Sequence, residues 1–425
     1  MSVHYHRHIK LPPYQKRKNN VTNAEKNKQS TLSSRMSAGQ EYPTLPEGLQ
    51  PMDDQVAGHA FFDTADSVGL LKSSDDASIL KPAGKLLCGL REIKFYEQIQ
   101  AATTEPDLVP LRDIIPQYLG HMKLPVAGKT YEFIKLSDLT HGMLEPCIMD
   151  VKIGCRTWDP QASEEKRKAE ESKYQACKQN LGFCIPGFQV YSIANGRRMR
   201  YGKDYGKKLT EVTVKDAFRK FLNADSGLCR QLLMQFLSDL WTIQKWARTQ
   251  TTFRLYSSSV LLVYDARRLK PVLQYQSKSL SSSSSKLTAS CNTGSGPLTG
   301  TGTSSTSSSP IGGPSSSPGT PTTGGDIEPL QHYFKIQRSH SAFNNYEEDM
   351  KAIRENYVFM RDNLVGSYET KVWACARMID FAHAFPAEEA TVDTNYLHGV
   401  DCLVKIFEDF LRDCELENSP KAGVP

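Results

Sequence analysis

The chain has 425 residues, carries a formal net charge of +5 and is 39% hydrophobic. This length allows one large domain or two modest ones, with a sizeable core in either case. So mild a positive charge does not by itself indicate nucleic-acid binding, but it suits an anionic ligand if the charge is concentrated around a cleft.

Two further features narrow the class of protein. No stretch approaches the roughly 18 apolar residues of a membrane-spanning helix, and the N-terminus lacks the apolar core of a secretory signal. We therefore expect no transmembrane segment. The ten cysteines show neither C-x-x-C pairs nor zinc-type spacing, which favours reduced, mostly buried thiols in a cytosolic or nuclear protein.

Two polar segments are predicted to be disordered because they cannot bury enough apolar surface to offset their ordering entropy. The first is a basic tail over residues 1–51, in which Lys16-Arg17-Lys18 fits either a solvated tail or a nuclear-import signal. The second, about 276–325, is rich in Ser, Thr, Gly and Pro and interrupts a folded pattern, so it reads as an insertion within a domain. We expect the protein in the nucleus and cytoplasm.

Between these segments the pattern is mixed. Alternating or continuous apolar runs predict strands at 131–136, 147–153 and 260–264, and Asn195-Gly196 predicts a hairpin between two further strands. Helical periodicity predicts helices at 90–99, 164–174, 228–247 and 397–411. Strands dominate early and helices late, which indicates an α+β protein with a cleft between two lobes.

The familiar nucleotide motifs are missing. The sequence contains no G-x-x-x-x-G-K-[ST], and no H-R-D or D-F-G triplet. These absences argue against a P-loop protein and against an ordinary protein kinase.

Several charged residues could nevertheless serve phosphoryl transfer, which needs cations on the phosphates and a carboxylate for magnesium. Lys81 ends a predicted strand before a helix that carries Glu92. Asp150 and Lys152 share one face of a strand and could form either a structural ion pair or one functional site. Asp380 follows an apolar segment and suits Mg²⁺, a hard cation that prefers oxygen ligands.

Three motifs in order resemble the inositol polyphosphate kinase family. Pro146–Gly154 matches its P-x-x-x-D-x-K-x-G pattern, Ser258-Ser259-Val260-Leu261 resembles its S-S-L-L segment, and Ile379-Asp380-Phe381-Ala382-His383 resembles its I-D-F-A-H segment. With Asp393–Gly399, the resemblance covers roughly residues 58–265 and 328–412. Within the family, the wording of the first motif is most similar to the multikinase branch.

The resemblance implies a two-lobed fold distantly similar to protein kinases, with ATP in the cleft between the lobes. It places the N-terminal lobe and hinge at 52–139, the C-terminal lobe at 140–415 and a tail at 416–425. It implies transfer of the ATP γ-phosphate to inositol 1,4,5-trisphosphate and then to the tetrakisphosphate, towards the pentakisphosphate. The alternatives are a kinase of phosphoinositide lipid head groups or of inositol hexakisphosphate, and a non-catalytic scaffold.

On the nucleotide side, the resemblance assigns roles to matching residues. Lys81, held by Glu92, would contact the ATP phosphates, and Ser137-Asp138-Leu139 would be the hinge that hydrogen-bonds adenine. Asp150 would hold the ribose hydroxyls. Asp380, aided by Ser259, would bind Mg²⁺.

On the acceptor side, Lys152 would face the inositol phosphate and the transferring group, and His383 would touch the substrate. The inositol-binding helix of the family falls near 163–175, where Lys166 and Lys173 match and lie two helical turns apart, on one face. Lys85 stands in for a family arginine without a clear match. The chain also has Lys168, Ala169 and Glu170 where relatives often carry glutamines.

Overall fold

A computed structural model describes residues 45–57, 67–74, 76–274 and 373–417. The described residues up to Leu273 and from 373 onwards belong to one compact unit. The predicted insertion at 276–325 and residues 1–44 of the predicted tail lie outside the described residues.

The first sheet has five antiparallel strands in the order β1-β2-β3-β5-β4. They are β1 (Leu49–Pro51), β2 (Leu71–Ser73), β3 (Ser78–Pro82), β4 (Tyr118–Val126) and β5 (Lys129–Ser137). Leu45 and Leu49 pack against its core of Leu71, Leu80, Val126 and Phe133. The prediction that the disordered tail extends to residue 51 is therefore wrong, because two leucines give its last residues an apolar contact and β1 a pairing partner.

Helix α1 (Leu86–Ala101) connects β3 to the next part of the chain, and a short helix α2 (Leu111–Ile114) follows. The buried residues of α1 include Glu92, Phe95, Tyr96 and Ile99, which share one helical face. Phe95 stacks on Phe381 with ring centroids 4.5 Å apart. The buried face of α1 therefore meets the segment that carries the predicted magnesium ligand.

The second sheet is also five-stranded and antiparallel, in the order β11-β10-β6-β7-β8. Its strands are β6 (Pro146–Ile153), β7 (Phe183–Tyr191), β8 (Arg198–Tyr201), β10 (Ser259–Asp265) and β11 (Ala374–Ile379). A smaller pair joins β9 (Phe253–Leu255) to β12 (Ala384–Pro386). The hairpin at Asn195-Gly196 is confirmed, because β7 pairs with β8.

Strand β6 does not alternate between buried and exposed residues as predicted. Every residue is buried except the partly buried Lys152, because β6 is the central strand and is covered on both faces. The alternation expected of a half-exposed strand therefore does not apply here.

Most of the remaining helices lie in the part of the unit that contains the second sheet. They are α3 (Glu164–Ser172), α4 (Gln175–Leu181), α5 (Lys203–Gly206), α6 (Val214–Phe221), α7 (Arg230–Thr249), α8 (266–274) and α9 (Thr394–Glu417). Trp241 of α7 donates to Glu408 of α9 at 2.9 Å, and α9 runs two residues into the predicted tail. The α+β prediction is confirmed. None of the helices in the described ranges is long and apolar enough to cross a membrane.

Candidate active site

Lys81 brings the two sheets into contact through a three-residue charge cluster. Its Nζ lies 2.7 Å from Glu92 Oε1 and 2.5 Å from Asp380 Oδ1. Burial disfavours a charged Lys81, but the two carboxylates outweigh this effect and raise its pKa. Burial also disfavours the charged form of Asp380 and would raise its pKa. The ammonium groups of Lys81 and Lys152 nevertheless hold the pKa of Asp380 below its usual value. Lys81 and Asp380 therefore remain ionised at neutral pH.

Helix α1 also fixes the backbone around Asp380. Asp380 has a left-handed φ of 66°, which is uncommon for a residue other than glycine. The Phe381 amide donates to Glu92 Oε1 at 3.0 Å, and Arg91 Nη1 donates to the Ala382 carbonyl at 2.7 Å. Two neighbouring side chains of α1 therefore hold the strained segment, which is a common feature of functional sites.

Asp150 and Lys152 lie on β6 but make no direct ion pair. The pairing of β6 with β7 shifts register between them, and Lys152 Nζ donates to the Ser257 carbonyl at 2.9 Å. Asp150 is 4% exposed. Burial, reinforced by the negative charge of Asp380, raises the pKa of Asp150 to about 6 although Lys152 opposes the change. Asp150 and Lys152 therefore do not form the structural ion pair that the sequence left open as one alternative.

Three buried oxygens near this strand lack a hydrogen-bonding partner within the described ranges. They are Asp150 Oδ1, Ser258 Oγ and Ser259 Oγ. Such atoms require an explanation in a native fold, and an absent ligand or ion is one of them. Ser259 of β10 lies opposite Lys152 of β6 in the strand register. Its hydroxyl oxygen, which can serve as a metal ligand, therefore lies near the charge cluster.

These oxygens fit a nucleotide and a hard divalent cation. The Asp380 side chain is 39% exposed, so one of the carboxylates can reach a ligand. The described residues contain no group of three or more His, Cys, Asp or Glu that would enclose a metal. A magnesium ion carried with ATP needs only one or two protein carboxylates together with substrate phosphates. Asp380 and Ser259 can supply such ligands.

The predicted hinge connects the two sheets. The Ser137 amide donates to the Gln117 carbonyl at 2.9 Å and the Asp138 amide to the Ala77 carbonyl at 2.8 Å. The Leu139 amide has no acceptor among the described residues. Of the three predicted hinge amides, only that of Leu139 is available to a ligand.

On the acceptor side, the structure adds a residue that the sequence did not single out. His383 Nδ1 lies 2.5 Å from Asp159 Oδ2, and Lys166 Nζ lies 4.0 Å from the same oxygen. Burial lowers the pKa of His383, although Asp159 favours its charged form. Asp159 therefore holds both predicted substrate contacts. Its only sequence signal is its position shortly after the nine-residue motif.

Helix α3 is shorter than predicted. Ser163 caps it by accepting from the Lys166 amide at 3.3 Å, but it ends at Ser172, and Lys173 is extended. The predicted helix end at Tyr174 is therefore wrong. The chain leaves the helix at Lys173, whose ψ is 130°, and Tyr174 then adopts a left-handed φ of 55°. Lys173 still forms an ion pair with Glu170 of α3 at 2.8 Å, so a face shared by Lys166 and Lys173 stays a prediction.

Glu170 links the end of α3 to the segment that follows β6. It accepts from Lys173 at 2.8 Å and from Thr157 Oγ1 at 3.2 Å. The buried Lys178 donates to Thr157 Oγ1 at 3.4 Å and to the Glu170 carbonyl. The ammonium of Lys178 thus stabilises the C-terminal end of α3. Sequence reasoning missed this network.

Lys85 does not join the site. It occupies the N-cap position of α1, is exposed, and makes no side-chain hydrogen bond to that helix. Its contact with substrate stays a prediction with no geometric support.

The glycine that ends the nine-residue motif is required by its surroundings. Gly154 has a φ of 108°, and a Cβ there would lie 2.7 Å from Asn395 Nδ2. Asn395 in turn accepts from the Arg156 amide at 2.9 Å and donates to the Arg156 carbonyl at 3.1 Å. The segment Asp393–Gly399 therefore supports the turn that follows Lys152.

The charge cluster, together with Lys152 on β6, has the composition of a phosphotransferase site, in which positioned cations and a carboxylate do most of the work. The sequence profile of the family described as inositol polyphosphate kinase matches residues 133–408. The chain belongs to this family.

Individual relatives agree. The inositol polyphosphate multikinase of Mus musculus is 29% identical over 387 residues, covering 87% of this chain and 94% of the mouse chain. The Homo sapiens multikinase is 28% identical, covering 86% and 89%. Human inositol hexakisphosphate kinase 1 is 30% identical over 251 residues, 57% of this chain and 53% of its own. Among solved structures, the inositol phosphate multikinase Ipk2 of S. cerevisiae, with ADP and Mn²⁺, matches with a TM-score of 0.46 and 20% identity, covering 79% of this chain and 100% of that one.

Proposed function

We propose that the protein is an ATP-dependent inositol polyphosphate multikinase. It phosphorylates inositol 1,4,5-trisphosphate and then inositol tetrakisphosphate, towards inositol pentakisphosphate. The observation that carries the proposal is the position of Lys81 between Glu92 and Asp380. The positive charge of Lys152 also helps to lower the pKa of Asp380. The family membership and the similarity to multikinases over most of the chain support it.

On the nucleotide side, the charged Lys81 binds the ATP phosphates and Glu92 keeps its ammonium in place. The unpaired Asp150 Oδ1 accepts from a ribose hydroxyl, and the Leu139 amide donates to adenine. Asp380, with Ser259, holds Mg²⁺, which neutralises charge that develops on the transferring phosphoryl group. Bound phosphates would compete with Asp380 for the Lys81 ammonium, and a bound Mg²⁺ would compete with Lys81 for the Asp380 carboxylate.

On the acceptor side, Lys152 faces the attacking hydroxyl and the transferring phosphoryl group. The Ser257 carbonyl fixes its ammonium at 2.9 Å, which limits the freedom that would otherwise be lost on binding. His383 and Lys166, both held by Asp159, and Lys173 contact the phosphates of the inositol.

Product identification tests the proposal. The full-length protein is incubated with ATP, Mg²⁺ and, separately, inositol 1,4,5-trisphosphate, a tetrakisphosphate, the hexakisphosphate and phosphoinositide vesicles, and the products are separated by chromatography. We expect pentakisphosphate from the first two acceptors, and Lys152→Ala to reduce turnover by about 100-fold or more. Turnover of the hexakisphosphate alone, or of lipid alone, would replace the proposal by one of those alternatives. Turnover of none would leave a non-catalytic role.

We also propose that the protein occurs in the nucleus as well as the cytoplasm, supported by Lys16-Arg17-Lys18. A fluorescent fusion of the full chain should lose nuclear signal when all three residues are replaced by alanine. An unchanged distribution would contradict an import role for this cluster.

A further inference from the structure

A cavity of about 360 Å³ lies beside β9, the turn after Gly154 and the start of α9. This volume is at the lower end for small-molecule sites. None of the residues assigned above to ATP, Mg²⁺ or the inositol phosphate lines it. Its lining includes Arg156, Arg254, Tyr256, Thr391, Asp393 and Asn395.

The two arginines of this cavity have no counter-ion. Neither lies within 4 Å of a carboxylate in the part of the chain that the structure describes. Arg156 stacks on Trp158 at 3.7 Å and approaches the Tyr256 ring at 4.8 Å. Its Nε donates to the Trp158 carbonyl at 3.0 Å, so the planar group is held while both terminal nitrogens remain without a partner. Guanidinium groups fixed in this way recognise phosphate with two parallel hydrogen bonds.

Arg254 is anchored rather than neutralised. Its Nη2 donates to the Glu389 carbonyl at 3.0 Å and to Thr391 Oγ1 at 2.7 Å. These partners are uncharged, so the positive charge is retained at the cavity wall.

The cavity also contains a carboxylate and a phenolic hydroxyl. Asp393 is 4% exposed, and its two oxygens accept from the Leu255 amide at 2.8 Å and the Tyr396 amide at 3.1 Å. Its carboxylate is therefore used by the backbone. Tyr256 is 9% exposed and lines the cavity, yet its hydroxyl has no hydrogen-bonding partner within the described ranges. It can donate to a ligand in the cavity.

We propose that this cavity is a second anion site, which binds a small phosphate-bearing ligand. Arg156 supplies two terminal nitrogens, Tyr256 a hydroxyl and Arg254 its charge. The ligand is either inorganic phosphate or one phosphate group of an inositol phosphate, since both present the same oxygens. The site does not depend on the proposed multikinase activity.

The cavity adjoins the reaction site through the backbone, so the two must be distinguished experimentally. The Tyr256 amide donates to the His383 carbonyl at 3.2 Å, and the next residue, Ser257, accepts from Lys152. A phosphate ligand could therefore be held by Lys152 instead of Arg156. Comparing variants of these two residues separates the sites.

The test uses the full-length protein without nucleotide. Inorganic phosphate is titrated at constant ionic strength, and binding is followed by tryptophan fluorescence, because Trp158 lies under Arg156, and by the thermal midpoint. We expect saturable binding that Arg156→Gln weakens about tenfold or more and that Tyr256→Phe weakens about threefold or more. Arg248→Gln is the matched control, since Arg248 is 53% exposed and pairs with Asp401. It should bind as the wild type does, and Lys152→Met should keep the Arg156-dependent binding.

Three results would overturn the proposal. The first is no saturable binding in the wild type, and the second is wild-type affinity in both Arg156→Gln and Tyr256→Phe. The third is complete loss of binding in Lys152→Met while that variant is folded. If Arg156→Gln unfolds, Arg156→Lys replaces it. It keeps the charge but loses the two-nitrogen fork, so unchanged affinity in that variant also contradicts the proposal. Displacement of phosphate by a lower concentration of inositol hexakisphosphate would identify an inositol phosphate as the ligand, and weaker displacement would identify free phosphate.

Discussion

Glu92 and Phe381 are joined by a hydrogen bond of 3.0 Å from the Phe381 amide to Glu92 Oε1, the same oxygen that receives Lys81 at 2.7 Å. Glu92 is 1% exposed. One buried carboxylate therefore fixes a lysine of the first sheet and the backbone beside Asp380. This arrangement makes the relative position of Lys81 and Asp380 depend on a side chain that touches no substrate.

Replacing Glu92 by glutamine separates its two contacts. The amide oxygen of glutamine can still accept from Phe381, but Lys81 loses one of its two negative partners, and an unbalanced buried charge is costly. We expect Glu92→Gln to lower kcat/KM for ATP about tenfold or more, mainly through a higher KM. Glu97→Gln on the same helix is the control, because Glu97 is 49% exposed. Steady-state kinetics with equal values for both variants would contradict the positioning role.

Asp380 can be changed without disturbing its backbone. Asparagine tolerates a left-handed φ better than alanine, so Asp380→Asn should lose only the stability that its charge gains from Lys81. Asp380→Ala should cost about 1 kcal/mol more. Both should lower kcat about 100-fold or more, since the carboxylate proposed to hold Mg²⁺ is lost. Calorimetry and turnover assays check the two effects separately, and a fully active Asp380→Asn would refute the assignment.

The raised pKa of Asp150 predicts a pH-dependent stability. Because burial raises the pKa from 3.8 to about 6, the folded state binds the proton more tightly than the unfolded state does. The stability that protonated Asp150 contributes is complete below about pH 4 and is lost as the pH rises through 6. Asp150→Asn, which stays neutral, should therefore gain about 3 kcal/mol over the wild type at pH 8, and this gain should disappear towards pH 4.

Asp76 is a control for this pH series, because the folded state lowers its pKa instead of raising it. Its hydrogen bond from Lys135 helps to lower the pKa of Asp76 to about 2. Stability from this group is present above the usual pKa of 3.8 and is lost as the pH falls towards 2. Asp76→Asn should be less stable than the wild type at pH 7. Denaturant unfolding of both variants between pH 2 and 8 measures the trends, and parallel curves for Asp150→Asn and the wild type would disprove the first.

Gly154 can be compared with a glycine in open space. Gly154→Ala places a Cβ 2.7 Å from the held side chain of Asn395 at a φ of 108°. We expect it to cost about 2 kcal/mol or more and to lower activity, because the turn after Lys152 must move. Gly196→Ala has a φ of 67° with nothing within 4 Å, so it should cost about 1 kcal/mol and leave kcat unchanged. Equal losses in the two variants would show that the Asn395 contact is unimportant.

Glu170 should compete with the acceptor for Lys173. Its carboxylate is 2.8 Å from Lys173, and Lys152 and Lys173 both lower its pKa against the effect of burial. If these lysines bind inositol phosphates, Glu170→Gln should lower KM for the acceptor about threefold, with little change in kcat. Glu164→Gln removes the same charge from the same helix, but Glu164 pairs with the exposed Lys168, so it should have no effect. A common change in both variants would point to general charge instead.

The residues that meet at Lys81 were largely predictable from the sequence. A lysine at the end of a strand, a glutamate in the next helix and an acid after an apolar run each carry a local pattern, and family motifs place them in one site. The hairpin at Asn195-Gly196 is local in the same sense. Strand β6 was predictable as a strand but not in its burial, because that depends on the strands on either side.

Contacts between distant parts of the chain were not predictable. Asp159 and His383, or Glu170 and Thr157, meet only after the helices and sheets pack, and nothing in either local pattern indicates a partner. The end of α3 was misplaced because Tyr174 turns the chain with a conformation that its residue type does not favour. Likewise, two leucines in a polar segment were too weak a signal for β1.

The contact between Gly154 and Asn395 has a consequence for the timing of synthesis. The nine-residue motif is translated well before Asn395, the side chain against which its last turn is shaped. The tight approach of Gly399 to the Gly182 carbonyl adds a second such dependence. A nascent chain can thus fold its first sheet and yet lack the shaped turn after Lys152 until α9 has emerged.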